Sequence, residues 1–141
     1  MRVAAIDLGT VRVGLAVADE LGLLAHPRPW LDARHPGRLV RSLGQVVTEE
    51  GVTLFLIGLP RTLRGTEGPG ARRARQFAQT LRDTTGVDVQ LVDEWLTSKE
   101  AMRRLRDQSL TERQARWRVD SAAAAVLLQS WLDSTQALTP P

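Results

Sequence analysis

No cysteine occurs in the 141 residues, which excludes disulfides, thiolate zinc sites and thiol catalysis. Histidine is nearly as scarce. His26 and His35 are the only two, and without cysteine they cannot build a zinc site of structural type. Carboxylates are then the natural ligands for any metal, and oxygen-only sites favour Mg²⁺ or Mn²⁺ over softer ions. Long apolar runs are also missing: the longest, Ala122 to Leu128, is far too short to span a bilayer. No signal-peptide pattern precedes the first strand, so a soluble, cytoplasmic chain with no membrane partner is expected. Neither a repeat nor a linker divides the sequence. The expectation is one domain over residues 1–141, with a frayed tail from 136.

What is present is a globular balance, 43% apolar and 25% charged, which argues against disorder and for a real core. Net charge is only +3, yet 18 of the 19 basic residues are arginine, with Lys99 the exception. Codon bias alone can enrich arginine, so placement carries more weight than number. Arg61, Arg64, Arg72, Arg73 and Arg75 cluster, and so do Arg103, Arg104, Arg106, Arg113, Arg116 and Arg118. The planar guanidinium fork suits phosphate, and two such clusters resemble a surface for a nucleic-acid backbone.

Apolar patterning places strands at Val3 to Leu8 and Val11 to Asp19, close enough for an antiparallel hairpin. Residues 22–32 can form only an edge or broken strand, because Pro27 and Pro29 cannot donate to a ladder. A helix follows from about Pro36 to Glu50, facing inward with Leu39, Leu43, Val46 and Val47, then a short buried strand from Thr53 to Ile57. Beyond a Gly/Arg loop, a second helix runs to about Thr85 with Ala71, Ala74, Phe77, Ala78 and Leu81 inward. Val87 to Val92 is another strand. Capping boxes at Thr97/Glu100 and Thr111/Gln114 start two more helices, the last reaching toward Leu132 with a stripe of Val119, Ala122, Ala123, Val126 and Leu127. Three meandering strands followed by strands alternating with helices define an α/β fold, with a mixed five-stranded sheet of three antiparallel then two parallel strands.

Three acids sit at the edges of apolar elements. Asp7 ends V-A-A-I-D, Asp93-Glu94 close V-D-V-Q-L-V, and Asp120 heads D-S-A-A-A-A-V-L-L. A buried carboxylate needs a partner, and a cation is a natural one; a plainer role for Asp7 is to cap the Gly9-Thr10 turn. Adjacent strand residues point to opposite faces, so only one of Asp93 and Glu94 can join Asp7. Glu94, with the longer reach, is preferred and Asp93 is the alternative. For Asp120 the four following alanines suggest close helix approach, against a solvated position on a helix surface. Phosphodiester hydrolysis uses such acids to hold two divalent ions roughly 3.5–4 Å apart.

The motifs A-I-D-L-G-T-V-R-V-G-L-A-V-A-D, I-G-L-P-R-T-L-R-G-T-E-G-P, V-D-E-W-L-T-S-K-E-A and V-D-S-A-A-A-A-V-L-L-Q-S-W-L together resemble the YqgF/RuvX family, relatives of RuvC resolvases in the RNase H-like superfamily. The resemblance runs from residue 3 to 132. It implies an RNase H-like fold, an acidic triad of Asp7, Glu94 and Asp120 as catalytic and metal-binding residues, and dependence on Mg²⁺ or Mn²⁺, as two ions. It further implies an endonuclease acting on structured nucleic acid, either maturing the 5′ end of pre-16S ribosomal RNA or cutting branched DNA such as Holliday junctions. Arg12, Arg61, Arg64, Arg72, Arg73 and Arg116 are the candidate nucleic-acid contacts. The family usually carries Arg after the Asp-Glu pair, where this chain has Trp95, and no second acid follows Asp120 one turn on as in RuvC. An ATP-dependent enzyme of the actin and sugar-kinase type is excluded by the single D-x-G motif and the short chain. A non-catalytic nucleic-acid-binding factor remains the contrasting class, and the sequence leaves monomer and homodimer both open.

Overall fold

The apolar runs pair into one five-stranded sheet of order β3-β2-β1-β4-β5. A computed structural model describes residues 2–60, 67–93 and 121–138. In chain order these form β1 (Arg2–Leu8), β2 (Arg12–Ala18), β3 (Ala25–Asp32), α1 (Pro36–Glu50), β4 (Val52–Leu59), α2 (Pro69–Thr85), β5 (Asp88–Asp93) and α3 (Ala122–Leu138). β1, β2 and β3 pair antiparallel, while β4 lies parallel to both β1 and β5. This is the expected mixed sheet.

Period-two alternation sorts the strand residues onto two faces. On one, Ala4, Ile6, Val13, Leu15, Val17, Phe55, Ile57 and Leu59 pack under α1 and α2 through Leu39, Leu43, Ala71, Ala74, Ala78 and Leu81. On the other, Val3, Ala5, Ala16, Ala18, Leu56 and Val92 meet α3 through Ala124, Ala125, Leu127, Leu128 and Leu132. Pro starts α1 and α2, and each stops at a left-handed glycine, Gly51 or Gly86, whose N–H caps a helical carbonyl.

Two details depart from the sequence pattern. The buried side of α3 is Ala124, Ala125, Leu127, Leu128 and Gln129, while Ala123 is exposed. A helix apolar nearly all round carries little phase information: of the expected stripe Leu127 is buried and Val126 packs against the core, whereas Ala123 faces out, and Val119 lies outside the described residues. The helix also continues to Leu138, past Leu132 and into the tail expected to fray. β3 does form, as the edge strand. It accommodates its prolines with a bulge: Leu15 pairs with Arg28 and Val13 with Leu31, two steps on β2 against three on β3. Among the described residues no helix is long and apolar enough to cross a membrane.

Candidate active site

Asp7 lies near the carboxyl end of β1 and pairs with Gly14 of β2. Its odd-numbered neighbours Val3 and Ala5 face α3, so Asp7 stands on that face too. On the other flank Ile6 pairs with Ile57, and one step further along these parallel strands sets Asp7 beside Gly58. The carboxylate is therefore bracketed by two glycines that present no side chain. A methyl group on Gly14 would lie 3.5 Å from Asp7 Cβ, 3.4 Å from Ser121 Cα and 3.6 Å from Ala124 Cβ. Gly14 thus lets the start of α3 come down over the sheet next to Asp7.

Asp7 is half-buried, and among the described residues its carboxylate has no hydrogen bond or ion pair. Burial pushes its carboxyl above the ordinary value because desolvation disfavours the charged form. The turn-capping role is not what its side chain does. Instead, the Gly9 N–H donates to the Asp7 backbone carbonyl at 3.1 Å, a bond that any residue type at position 7 could accept. Gly9 itself is sterically required, since a Cβ there would lie 2.2 Å from the Arg12 carbonyl oxygen. A half-desolvated carboxylate without a partner among the described residues suits a hard cation.

Asp93 ends β5 and pairs with Leu59, which packs against α1 and α2. Val89 and Leu91, in phase with it, do the same, whereas Val92 faces α3. Asp93 therefore stands on the sheet face opposite Asp7. Glu94 and Asp120 lie outside the described residues, as do Arg61, Arg64 and Arg116. The described chain neighbours of Glu94 and Asp120 are Asp93 and Ser121. Among the described residues no three acids or histidines gather closely enough to hold a metal.

The predicted arginine contacts divide in their behaviour. Arg72 is exposed on α2. Arg73, one residue on, donates to the Gly9 carbonyl at 2.7 Å and the Leu8 carbonyl at 3.4 Å, so it clamps the turn that follows Asp7. Arg12 lies over the Trp30 ring, 4.7 Å from its centroid. A cleft of about 580 Å³ lined by Arg41, Gly44, Thr48 and Thr85 lies between α1 and α2, on the far side of the sheet from Asp7.

Sequence reasoning missed Ser121. Its hydroxyl accepts from Leu15 N–H at 3.1 Å and donates to the Arg28 carbonyl at 2.6 Å. Leu15 and Arg28 are register partners beside the β3 bulge, so this hydroxyl bridges the gap in the ladder. Two turns on, Gln129 accepts from Ala25 N–H at 2.9 Å and donates to the Leu23 carbonyl at 2.9 Å. Polar residues in so apolar a segment were the available signal, because such groups are buried only when bonded.

A family model for RuvX, described as Holliday junction resolvase, matches residues 1–134. A protein of Anaeromyxobacter sp. (strain K) named "Putative pre-16S rRNA nuclease" is 46% identical over 133 residues, covering 94% of this chain and 97% of that one. A protein of Chloroflexus aurantiacus with the same name is 35% identical, covering 94% and 86%. Among solved structures, Thermus thermophilus RuvC in complex with a Holliday junction substrate aligns over 100% of this chain and 99% of its own at a TM-score of 0.65 and 15% identity. The Fowlpox virus resolvase aligns at 0.58 and 12%. At such identity these two speak for the fold alone.

Proposed function

The chain belongs to the RuvX family, a family of nucleases with a resolvase-like fold, and from that premise we propose that it is a divalent-metal-dependent endonuclease maturing the 5′ end of pre-16S ribosomal RNA. The observation that carries the reading is Asp7: a half-buried carboxylate without a partner among the described residues, set between Gly14 and Gly58 near the carboxyl end of β1. Open sheets of this kind place their chemistry at strand ends.

Asp7, Glu94 and Asp120 would hold Mg²⁺ or Mn²⁺, as two ions. Connectivity supports this set: Glu94 follows the end of β5, and Asp120 precedes Ser121, which lies against Gly14 opposite Asp7. Asp93 is the weaker choice because it stands on the other face of the sheet. When bound, the ions supply charge neutralisation at the scissile phosphate and a more acidic water. The chain's own part is to position Asp7, through the Gly9 turn and the Arg73 clamp. Arg12 and Arg72, with Arg61, Arg64 and Arg116, would engage the phosphate backbone.

The substrate is read from the relatives at 35–46% identity, which are named for pre-16S rRNA. The family's description favours a second reading, resolution of branched DNA. The test is incubation with Mg²⁺ or Mn²⁺ and two labelled substrates, a pre-16S 5′-leader RNA and a four-way DNA junction, with Asp7→Asn alongside. Metal-dependent cuts in the RNA, lost in the variant while binding persists, are expected. Paired symmetric cuts in the junction alone would establish the resolvase. Binding with no cleavage of either would make the protein a non-catalytic factor.

A further inference from the structure

Arg12 and Trp30 form a stacked pair on the same face and at the same end of the sheet as Asp7. Arg12 alternates with Gly14 and Ala16 along β2, and Ala16 packs under α3, so Arg12 shares the face that carries Asp7. From Asp7 the path runs one strand across to Gly14 and two residues along β2. With strands about 4.8 Å apart and a rise of about 3.4 Å per residue, the Arg12 and Asp7 Cα atoms are about 8 Å apart. Trp30 sits one strand further out, within the bulge of β3 between the Arg28 and Leu31 pairings. Bulges re-aim side chains at sheet edges.

The pair is unusual in what it leaves exposed. Trp30 is 36% exposed and Val11, next to Arg12 in the chain, is 54% exposed; Arg12 and Pro29 are exposed beside them. The guanidinium lies on one face of the indole, 4.7 Å from the ring centroid, which fixes the ring plane. The nearby carboxylate of Asp32, the register partner of Arg12, forms a 2.8 Å ion pair with Arg34. That pairing holds its carboxyl well below the usual range and offsets the local negative charge. Pro29 precedes the tryptophan and removes a donor from the edge, so another strand cannot readily add there. A rigid, exposed indole beside a cation is the chemistry of a base-stacking platform, since every nucleobase has a π face and every nucleotide a phosphate.

We propose that Trp30 stacks on an unpaired base of the substrate strand, close to the scissile phosphate, while Arg12 meets the adjacent phosphate. The inference rests on the nuclease reading above and adds to it: this platform makes the protein prefer a segment with unpaired nucleotides beside the cut. A packing role is the competing explanation, in which Arg12 only caps the bulge. The two differ in what they predict, because a cap would serve paired and unpaired ligands equally.

The experiment uses the full chain carrying Asp7→Asn, so that binding is read without cleavage, and adds Trp30→Ala or Trp30→Phe. Fluorescence anisotropy is measured with two labelled RNAs of equal length, one with an unpaired run and one a fully paired hairpin. Trp30→Ala should weaken binding of the unpaired RNA about tenfold and of the hairpin less than about twofold, with Trp30→Phe restoring most of the loss. Equal affinities with and without Trp30, or an equal loss on both RNAs accompanied by a lower melting temperature, would overturn the platform. The nuclease reading is judged separately, by metal-dependent cleavage with Asp7 intact. If that cleavage is absent while the selective loss persists, stacking of Trp30 on an unpaired base stands, and its place beside a cut falls with the nuclease reading.

Discussion

Asp7 is held in the fold at a cost. Its half-buried carboxylate has no partner among the described residues, and desolvation raises its pKa. A folded-state value above the unfolded one means that the protonated form is favoured by folding. The stability is present at low pH and lost as pH rises through the folded value. At neutral pH, Asp7→Asn should therefore raise the melting temperature in metal-free buffer by about 3 °C, on the order of 1 kcal/mol. The advantage should shrink as pH falls through the raised folded value and vanish below about 4, where the wild-type group is protonated in both states. Adding Mn²⁺ should stabilise the wild type and leave the variant unmoved, because binding to the native state alone shifts the equilibrium. Thermal melts of the two proteins across pH, with and without the metal, check all three expectations. Gly14 offers a steric counterpart. Its Cβ position is already in contact with Asp7 Cβ, Ser121 Cα and Ala124 Cβ at 3.4–3.6 Å, so alanine fits there and valine does not. Gly14→Val should cost about 1–3 kcal/mol by overpacking and reduce cleavage, while Gly14→Ala keeps both. Asp7 was legible in the sequence because an acid closing an apolar strand is conspicuous. The glycines beside it were not, since pairing Gly14 and Gly58 with Asp7 needs the register of two other strands.

At the scale of elements, the attachment of α3 is decided by two polar side chains rather than by its apolar ones. Ser121 and Gln129 are buried and satisfy four backbone groups of β2, β3 and the turn between them. They fix the phase of a helix whose alanines and leucines would tolerate rotation. That explains which part of the fold could be read in advance. α1 and α2 have one apolar face each, so their inward residues, both ends of α1 and the end of α2 followed from the sequence; α2 starts at Pro69, inside the stretch expected as loop, because proline is well suited to a first helical turn. α3 lacks a polar face, and its register depends on a bulge in a strand that two prolines had already made ambiguous. Removing the Ser121 hydroxyl should expose this dependence. Ser121→Ala leaves the Leu15 N–H and the Arg28 carbonyl without their bridge, and a buried unsatisfied group costs about 1–3 kcal/mol. The expected result is a melting temperature lower by several degrees, with faster amide exchange confined to β2, β3 and the start of α3. Uniformly faster exchange across α1 and α2 as well would show that the hydroxyl serves global stability only.

Across the whole molecule, the sheet separates two kinds of surface. α1 and α2 pack on one face, whereas on the other α3 begins beside Gly14. Asp7, Arg12 and Trp30 share that side, and Arg73 reaches the turn from α2. Net charge of +3 is too small to draw in a polyanion by itself, so affinity must come from where the arginines stand. Arg72 and Arg73 are neighbours in sequence and differ in that respect. Arg72 is exposed, while Arg73 is committed to the carbonyls of Leu8 and Gly9. Each phosphate neutralised releases counterions, which appears as the slope of log affinity against log salt. Arg72→Ala should flatten that slope by about one and leave the melting temperature unchanged. Arg73→Ala should instead lower stability by about 1.5–3 kcal/mol, the range for hydrogen bonds to a charged group, with the slope preserved. Titrations of labelled RNA between 50 and 200 mM salt, the range over which phosphate contacts dominate, would separate them. A flattened slope for both variants would mean that Arg73 leaves the turn when nucleic acid binds, and that the clamp beside Asp7 opens in the complex.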